Sequence, residues 1–150
     1  PWQLHVQRLT PGIHPALREH APTQLTPLDA PLMLGDAAGH HLLRLQVASP
    51  LPDQALHLVE PTRVVRLERS HPNDAELIAR PLQGPMLLPT TDQGWLAWLL
   101  AGHAVVKLGE AGWELAAGVP AWLPAEAGQR LRLEGGGELL LVRFRTIPAA

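Results

Sequence analysis

The sequence predicts an all-β protein, a jelly-roll β-barrel built from about ten short antiparallel strands. Three observations support this fold class. The 150 residues include 16 Pro and 13 Gly, which favour many tight turns. Short runs of Leu, Val, Ala and Trp alternate with polar residues at the period of a strand. Long helices are hard to fit between these turns, so the chain reads as a single domain of residues 1–150.

The first 36 residues read as an irregular, proline-rich arm. Prolines at positions 11, 15, 22, 27 and 31 each remove a backbone donor and restrict the residue before them. We expect extended segments at 3–9 and 23–28. A single helical turn is expected over 14–20.

Two barrel halves are expected after the arm, at 37–90 and 91–147. The first half is predicted to contain strands at 41–48, 55–59, 62–69, 75–82 and 85–88. The second is predicted to contain strands at 95–101, 104–108, 113–116, 120–123, 129–134 and 138–145. In this interpretation Gly102 ends a strand, and Gly135-Gly-Gly137 forms a hairpin loop because glycine adopts positive φ at little cost.

The run Leu96–Leu108, with Gly118 and Pro124 behind it, resembles the second half of a cupin. Metal-binding cupins carry a pair of His, a Glu and a later His at fixed distances from these positions. Here the matching positions hold residues 88–91, then Trp95, then Gln129 or Arg130. A protein-bound transition metal needs about three or four converging donors. The resemblance therefore implies a metal-free barrel without a cofactor.

Within the cupins, the segment Asn73–Leu88 resembles the HutD/Ves family through its turn Arg80-Pro-Leu-Gln-Gly-Pro85. The end Leu139–Phe144 also suits that family, so the resemblance covers about residues 73–145. It departs at the N-terminus, where only Pro1-Trp2 matches the family's motif, and at Met86-Leu-Leu-Pro89. The resemblance implies a non-enzymatic protein linked to histidine utilisation in bacteria that binds a small acidic metabolite in a regulatory or sensing role.

The predicted ligand site comprises Arg130, Trp95, Trp98, Trp122, Arg80 and His103. Arg130 could hold a carboxylate bidentately if its strand turns its polar face inward. If that face turns outward, Arg130, Arg132 and Glu134 form a solvated charge row, which the patterning favours. Arg80 faces the same choice. His103 is expected at a turn near the barrel rim.

The tryptophans divide between two strand faces. Trp95 and Trp98 point to opposite faces of one strand, so only one of them enters the barrel, either filling the core or stacking on a ligand with Trp122. The other would leave an exposed aromatic spot suited to a homodimer.

Composition excludes other classes of function. The formal charge of −2 and pI near 6.5 give no field to gather nucleic acid or an anionic membrane. The chain lacks Cys, and its start lacks the layout of a signal peptide, which predicts a cytoplasmic protein. Scattered His residues mostly read as surface imidazoles, although His41, His57 and His103 could converge. Two alternatives stay open: a cupin-class isomerase or lyase using an unrecognised His/Glu site, and an interaction module with a plugged barrel.

Overall fold

The computed structural model describes residues 1–15, 22–35, 39–51, 54–124 and 129–146. Every regular element within these ranges is a β-strand, which confirms the predicted all-β class. The chain divides into two compact units, Pro1–Asp74 and Ala75–Ala150. The single domain and its three-part division remain predictions.

The described residues form thirteen strands. They are β1 (Trp2–Leu9), β2 (Gly12–His14), β3 (Thr23–Pro27), β4 (Leu32–Leu34), β5 (His40–Leu42), β6 (Leu56–Leu58), β7 (Thr62–Arg69), β8 (Ala75–Gln83), β9 (Met86–Leu88), β10 (Gln93–Leu108), β11 (Ala111–Leu115), β12 (Ala121–Leu123) and β13 (Leu131–Arg145).

Unit 1 contains two antiparallel sheets. The first has the order β1-β7-β3, and β7 pairs with β1 along its whole length. The second has the order β2-β6-β4-β5 and is built from strands of three residues each. One face of this small sheet carries the leucines of β4, β6 and Leu42, all buried in a single apolar cluster. Because side chains alternate along a strand, the middle residues of the four strands share the opposite face; they are Ile13, Met33, His41 and His57.

Unit 2 is organised by its two longest strands, β10 and β13, which pair antiparallel along their length. Strands β12 and β11 pair with the first and second halves of β10, while β8 and β9 pair with the two halves of β13. A β-bulge lies between Leu99 and Ala101 and reverses which residues of β10 face the core. One apolar cluster therefore contains Trp95, Ala97 and Leu99 together with residues after the bend such as Val106.

The predicted strand end at Gly102 and the predicted hairpin loop at Gly135–Gly137 are both wrong. Gly102 lies inside β10, and Gly135–Gly137 lie inside β13, opposite Ala104–Gly102. Their positive φ angles, 102° at Gly102 and 146° at Gly137, let both strands bend without breaking the ladder. A Cβ at Gly137 would lie 2.0 Å from the carbonyl oxygen of Ala101, so glycine also permits the close approach of the two backbones.

Other differences concern the first 48 residues. The predicted strand 41–48 ends at Leu42, because Leu45 adopts a positive φ of 63° in a turn. The sequence also missed β2 and β4, whose three residues are too few to show a period. Most of the predicted helical turn at 14–20 lies outside the described residues, and its first residue, His14, ends β2.

Candidate functional site

The interior of unit 2 is filled by apolar side chains. Trp95 is buried in it and donates a hydrogen bond from Nε1 to the carbonyl oxygen of Pro89 at 2.7 Å. Leu99, Leu133 and Leu139 are fully buried around the same core. The cupin-like metal position at Trp95 is therefore occupied by a core side chain, and the predicted ligand role of Trp95 remains a prediction.

Trp98 differs from the sequence expectation. It lies on the other face of β10 from Trp95, as predicted, yet it is only 7% exposed. We expected the Trp that points away from the core to leave an exposed aromatic surface. This expectation is wrong for Trp98. Its Nε1 makes no hydrogen bond within the part of the chain that the structure describes.

The charge row takes the outward orientation. Leu131 and Leu133 enter the core, while Arg132 and Glu134 lie on the opposite, solvent-facing side of β13. Glu134 pairs with Lys107 and with Arg132, each at 3.0 Å. The hydrogen bond from Lys107 lowers the pKa of the Glu134 carboxyl. Arg130 lies just before β13 and is exposed, so the structure places its guanidinium outside the core.

The remaining candidates are dispersed over unit 2. Arg80 is exposed on β8. His103 is exposed and lies 3.3 Å from a carboxylate oxygen of Glu114. Trp122 is 65% exposed and packs edge-to-face on Phe144, with ring centroids 5.5 Å apart. The six predicted site residues are therefore not brought together, and their individual roles remain predictions.

A concave site that the sequence did not predict lies in unit 1. It is a cavity of about 520 Å³ against the β2-β6-β4 part of the small sheet. Its wall is mainly apolar, with polar groups from two imidazoles and one carboxylate. The lining residues are Gly12, Ile13, Pro31, Leu32, Met33, His41, His57, Leu58, Val59 and Glu60.

A cross-strand row forms one wall of this pocket. Ile13 on β2 lies opposite His57 on β6, His57 lies opposite Met33 on β4, and Met33 lies opposite His41 on β5. Directly opposed residues of antiparallel strands share a face and interact through their side chains. The row Ile13–His57–Met33–His41 therefore lies on the face opposite the buried leucines. We call it the pocket row.

A hydrogen-bonded turn holds the segment that enters the pocket. The Thr62 hydroxyl accepts hydrogen bonds from the backbone N–H groups of Asp29 and Ala30, both at 3.1 Å. Arg63 donates to the Asp29 carboxylate from its side chain, at 3.0 and 2.8 Å, and from its backbone N–H at 2.9 Å. These bonds lower the pKa of Asp29 to about 2. Pro31 follows directly, so this turn positions one wall of the pocket.

The sequence could not reveal this site because its members come from four separate strands. Of the three histidines that the sequence suggests could converge, His41 and His57 line the pocket. His103 lies in unit 2 beside Glu114. Among the described residues, no group of three His, Asp or Glu side chains is placed to hold a metal ion. The lining residues become neighbours through the pairing register of the three-residue strands, and no local sequence pattern reports that register.

Comparison with known proteins identifies the class of fold. No protein-family model matches the chain, and no curated protein matches it by sequence. Several solved structures are similar to it in fold. A conserved protein of unknown function from Pseudomonas aeruginosa is similar with a TM-score of 0.76 at 17% identity, over 98% of this chain and 84% of that one. A cupin 2 conserved barrel domain protein from Leptotrichia buccalis is similar with a TM-score of 0.61 at 9% identity, over 96% and 84%. The chain therefore has a cupin-type, all-β jelly-roll fold.

A more particular likeness is to HutD from Pseudomonas fluorescens, with a TM-score of 0.68 at 17% identity. The match covers 97% of this chain and 80% of that protein. This supports the HutD-like resemblance noted in the sequence between Asn73 and Arg145, at the level of the fold. No helix in the described residues is long and apolar enough to cross a membrane.

Proposed function

We propose that the protein binds a small metabolite in the pocket of unit 1 and serves as a metabolite-binding or sensing protein. The observation that carries this proposal is the pocket of about 520 Å³, which falls within the range of about 300–1,000 Å³ usual for small-molecule sites. Its composition is also that of such sites, an apolar wall with a few polar groups that orient the ligand.

The wall chemistry favours an anionic ligand with an apolar body. Ile13, Pro31 and Val59 supply apolar surface, while His41 and His57 supply ring nitrogens that can donate to a carboxylate. Glu60 would repel a second negative group placed beside it. We therefore expect a compact acid whose single carboxylate lies at the pocket row, with its remaining polar groups acting as donors toward Glu60.

Ligand-detected NMR with a panel of small acids tests this proposal; the panel includes urocanate, which has one carboxylate, and formylglutamate, whose second carboxylate Glu60 should disfavour. The same panel is run in the presence of a metal chelator on wild type and on His57→Gln. We expect an acid to bind wild type and to bind His57→Gln at least about tenfold more weakly, since one charge-assisted hydrogen bond is lost. Matched controls are His103→Gln and Arg130→Ala, which change candidates outside the pocket. Binding lost in Arg130→Ala but retained in His57→Gln would overturn the proposal and favour the site predicted from the sequence.

A second candidate function is an interaction module, which the filled interior of unit 2 favours. Such a module would use an exposed apolar surface, and Trp122 on Phe144 is the largest exposed aromatic group of that unit. The homodimer predicted from the sequence is compatible with either function, and under this alternative it would form through this surface. Sedimentation of wild type and Trp122→Ser at several concentrations tests it. A wild-type dimer that dissociates in Trp122→Ser supports the module, whereas two identical monomers rule out this surface.

A further inference from the structure

We propose that the pocket row binds a soft monovalent metal ion, of which Cu(I) is the biological example, through the imidazoles of His57 and His41 and the thioether of Met33. The inference goes beyond the proposed function and does not rest on it. An ion held there would occupy the ring nitrogens that the proposed function assigns to a carboxylate, so the ion and the acid would compete for His41 and His57.

The register places the three donors in line. Met33 pairs directly with His57 on one side and with His41 on the other. Neighbouring strands lie about 4.8 Å apart, so the two histidines stand roughly 10 Å apart on the same face with Met33 midway. Two imidazoles can reach inward over this span to an ion held by nitrogen bonds of about 2 Å. The Met33 thioether then approaches the ion from the sheet below.

The donor set selects the type of metal. Thioether sulfur is a soft ligand that favours Cu(I), and imidazole also suits copper. Hard divalent cations require several oxygen ligands, and structural zinc sites require four nitrogen, sulfur or oxygen donors. Neither requirement is met here, because the described residues contain no metal-binding group of three His, Asp or Glu. The site therefore differs in chemistry and in place from the metal site of cupins, whose matching position here is the core residue Trp95.

The surroundings favour an ion of low charge. His57 and Met33 are half-buried at the pocket wall, and Ile13 and Pro31 flank them with apolar surface. A monovalent ion loses less hydration energy than a divalent ion on entering such an environment.

Methionine methyl NMR during titration with Ag(I), a redox-inert probe of Cu(I) sites, gives the direct test. The chain has two methionines, and Met86 packs against the core of unit 2, which makes it an internal control. We expect the Met33 methyl signal to shift and saturate at one ion per chain while the Met86 signal stays in place. The titration uses the full chain without any organic ligand, so its result is independent of the acid-binding experiment.

Variants assign the ligands. Anaerobic Cu(I) competition with a chromophoric chelator should show that Met33→Leu, a volume-conserving change, weakens binding by about tenfold or more, whereas Met86→Leu leaves it unchanged. His57→Gln should weaken it further, and His103→Gln should leave it unchanged. An unmoved Met33 signal in wild type would overturn the proposal even if a variant failed to fold. Equal affinity of Met33→Leu and wild type would overturn it as well.

Discussion

The two units use their sheets in opposite ways. In unit 2 the long strands β10 and β13 bend and share a continuous aliphatic core, and their polar residues form ion pairs on the outer surface. In unit 1 the small sheet buries its leucines on one face and presents imidazoles and a thioether to a pocket on the other. A core filled with Leu and Val contributes stability but contains no polar group to orient a ligand. The half that most resembles a cupin in sequence therefore has an apolar interior, whereas the pocket of about 520 Å³ lies in the other half.

The variant with the largest expected effect tests whether glycine is required where β10 and β13 bend. Gly137→Ala should cost about 3–5 kcal/mol of unfolding free energy, since it combines a positive φ with a clash against the Ala101 carbonyl. Gly118→Ala is the control, because its φ is 82° but no atom lies within 4 Å of the new Cβ. It should cost about 1 kcal/mol. Urea denaturation that gave equal losses would show that the close approach of the two strands is not required.

The filled core is tested by Leu133→Ala. Leu133 is fully buried, so we expect a loss of about 3 kcal/mol from the lost transfer energy and the cavity left behind. Leu87→Ala changes an exposed leucine of the same unit and should stay within about 0.5 kcal/mol. A small loss at Leu133 would mean that the interior is loosely packed, which would weaken the contrast between the two units.

The two buried tryptophans offer a matched pair. Trp95→Phe removes a hydrogen bond to Pro89, whereas Trp98→Phe removes an N–H that has no partner in the described residues. Both lose similar ring volume, so Trp95→Phe should be the more destabilising by about 1 kcal/mol. Thermal unfolding of the two variants measures the difference. A greater loss of stability in Trp98→Phe would indicate that the Trp98 N–H has a hydrogen-bond partner. That face of the sheet would then contain a polar interaction as well as apolar packing.

Some features of the two units could be predicted from the sequence, and others could not. It predicted the all-β class, the eight-residue strand β7 to the residue and the outward charge row at Arg132 and Glu134, because alternation over several residues reports a face. It missed the continuity of β10 and β13, since glycine signals a turn and a strand bend equally well. The pocket row was beyond reach for a different reason. His57, Met33 and His41 become neighbours only through the pairing of three-residue strands, which no local pattern encodes.

The smallest expected effect concerns the turn that supports the pocket. The pKa of Asp29 is held at about 2 by Arg63, below its ordinary value of 3.8. A carboxyl whose pKa falls on folding adds stability above its unfolded pKa and loses it as pH falls toward the folded value. Because the Asp29 side chain is 41% exposed, solvent screening limits this contribution to about 1 kcal/mol.

Asp29→Asn should therefore be less stable than wild type by about 1 kcal/mol at pH 7, and the difference should disappear between about pH 4 and pH 2. Chemical denaturation across this range measures it. Glu134→Gln is the matched control, because the Glu134 carboxyl also has a lowered pKa but belongs to unit 2 and does not line the pocket of unit 1. If Asp29→Asn also weakens acid binding while Glu134→Gln does not, the turn positions Pro31 for the ligand. If neither variant alters binding, the turn stabilises unit 1 alone, and the pocket depends on the small sheet.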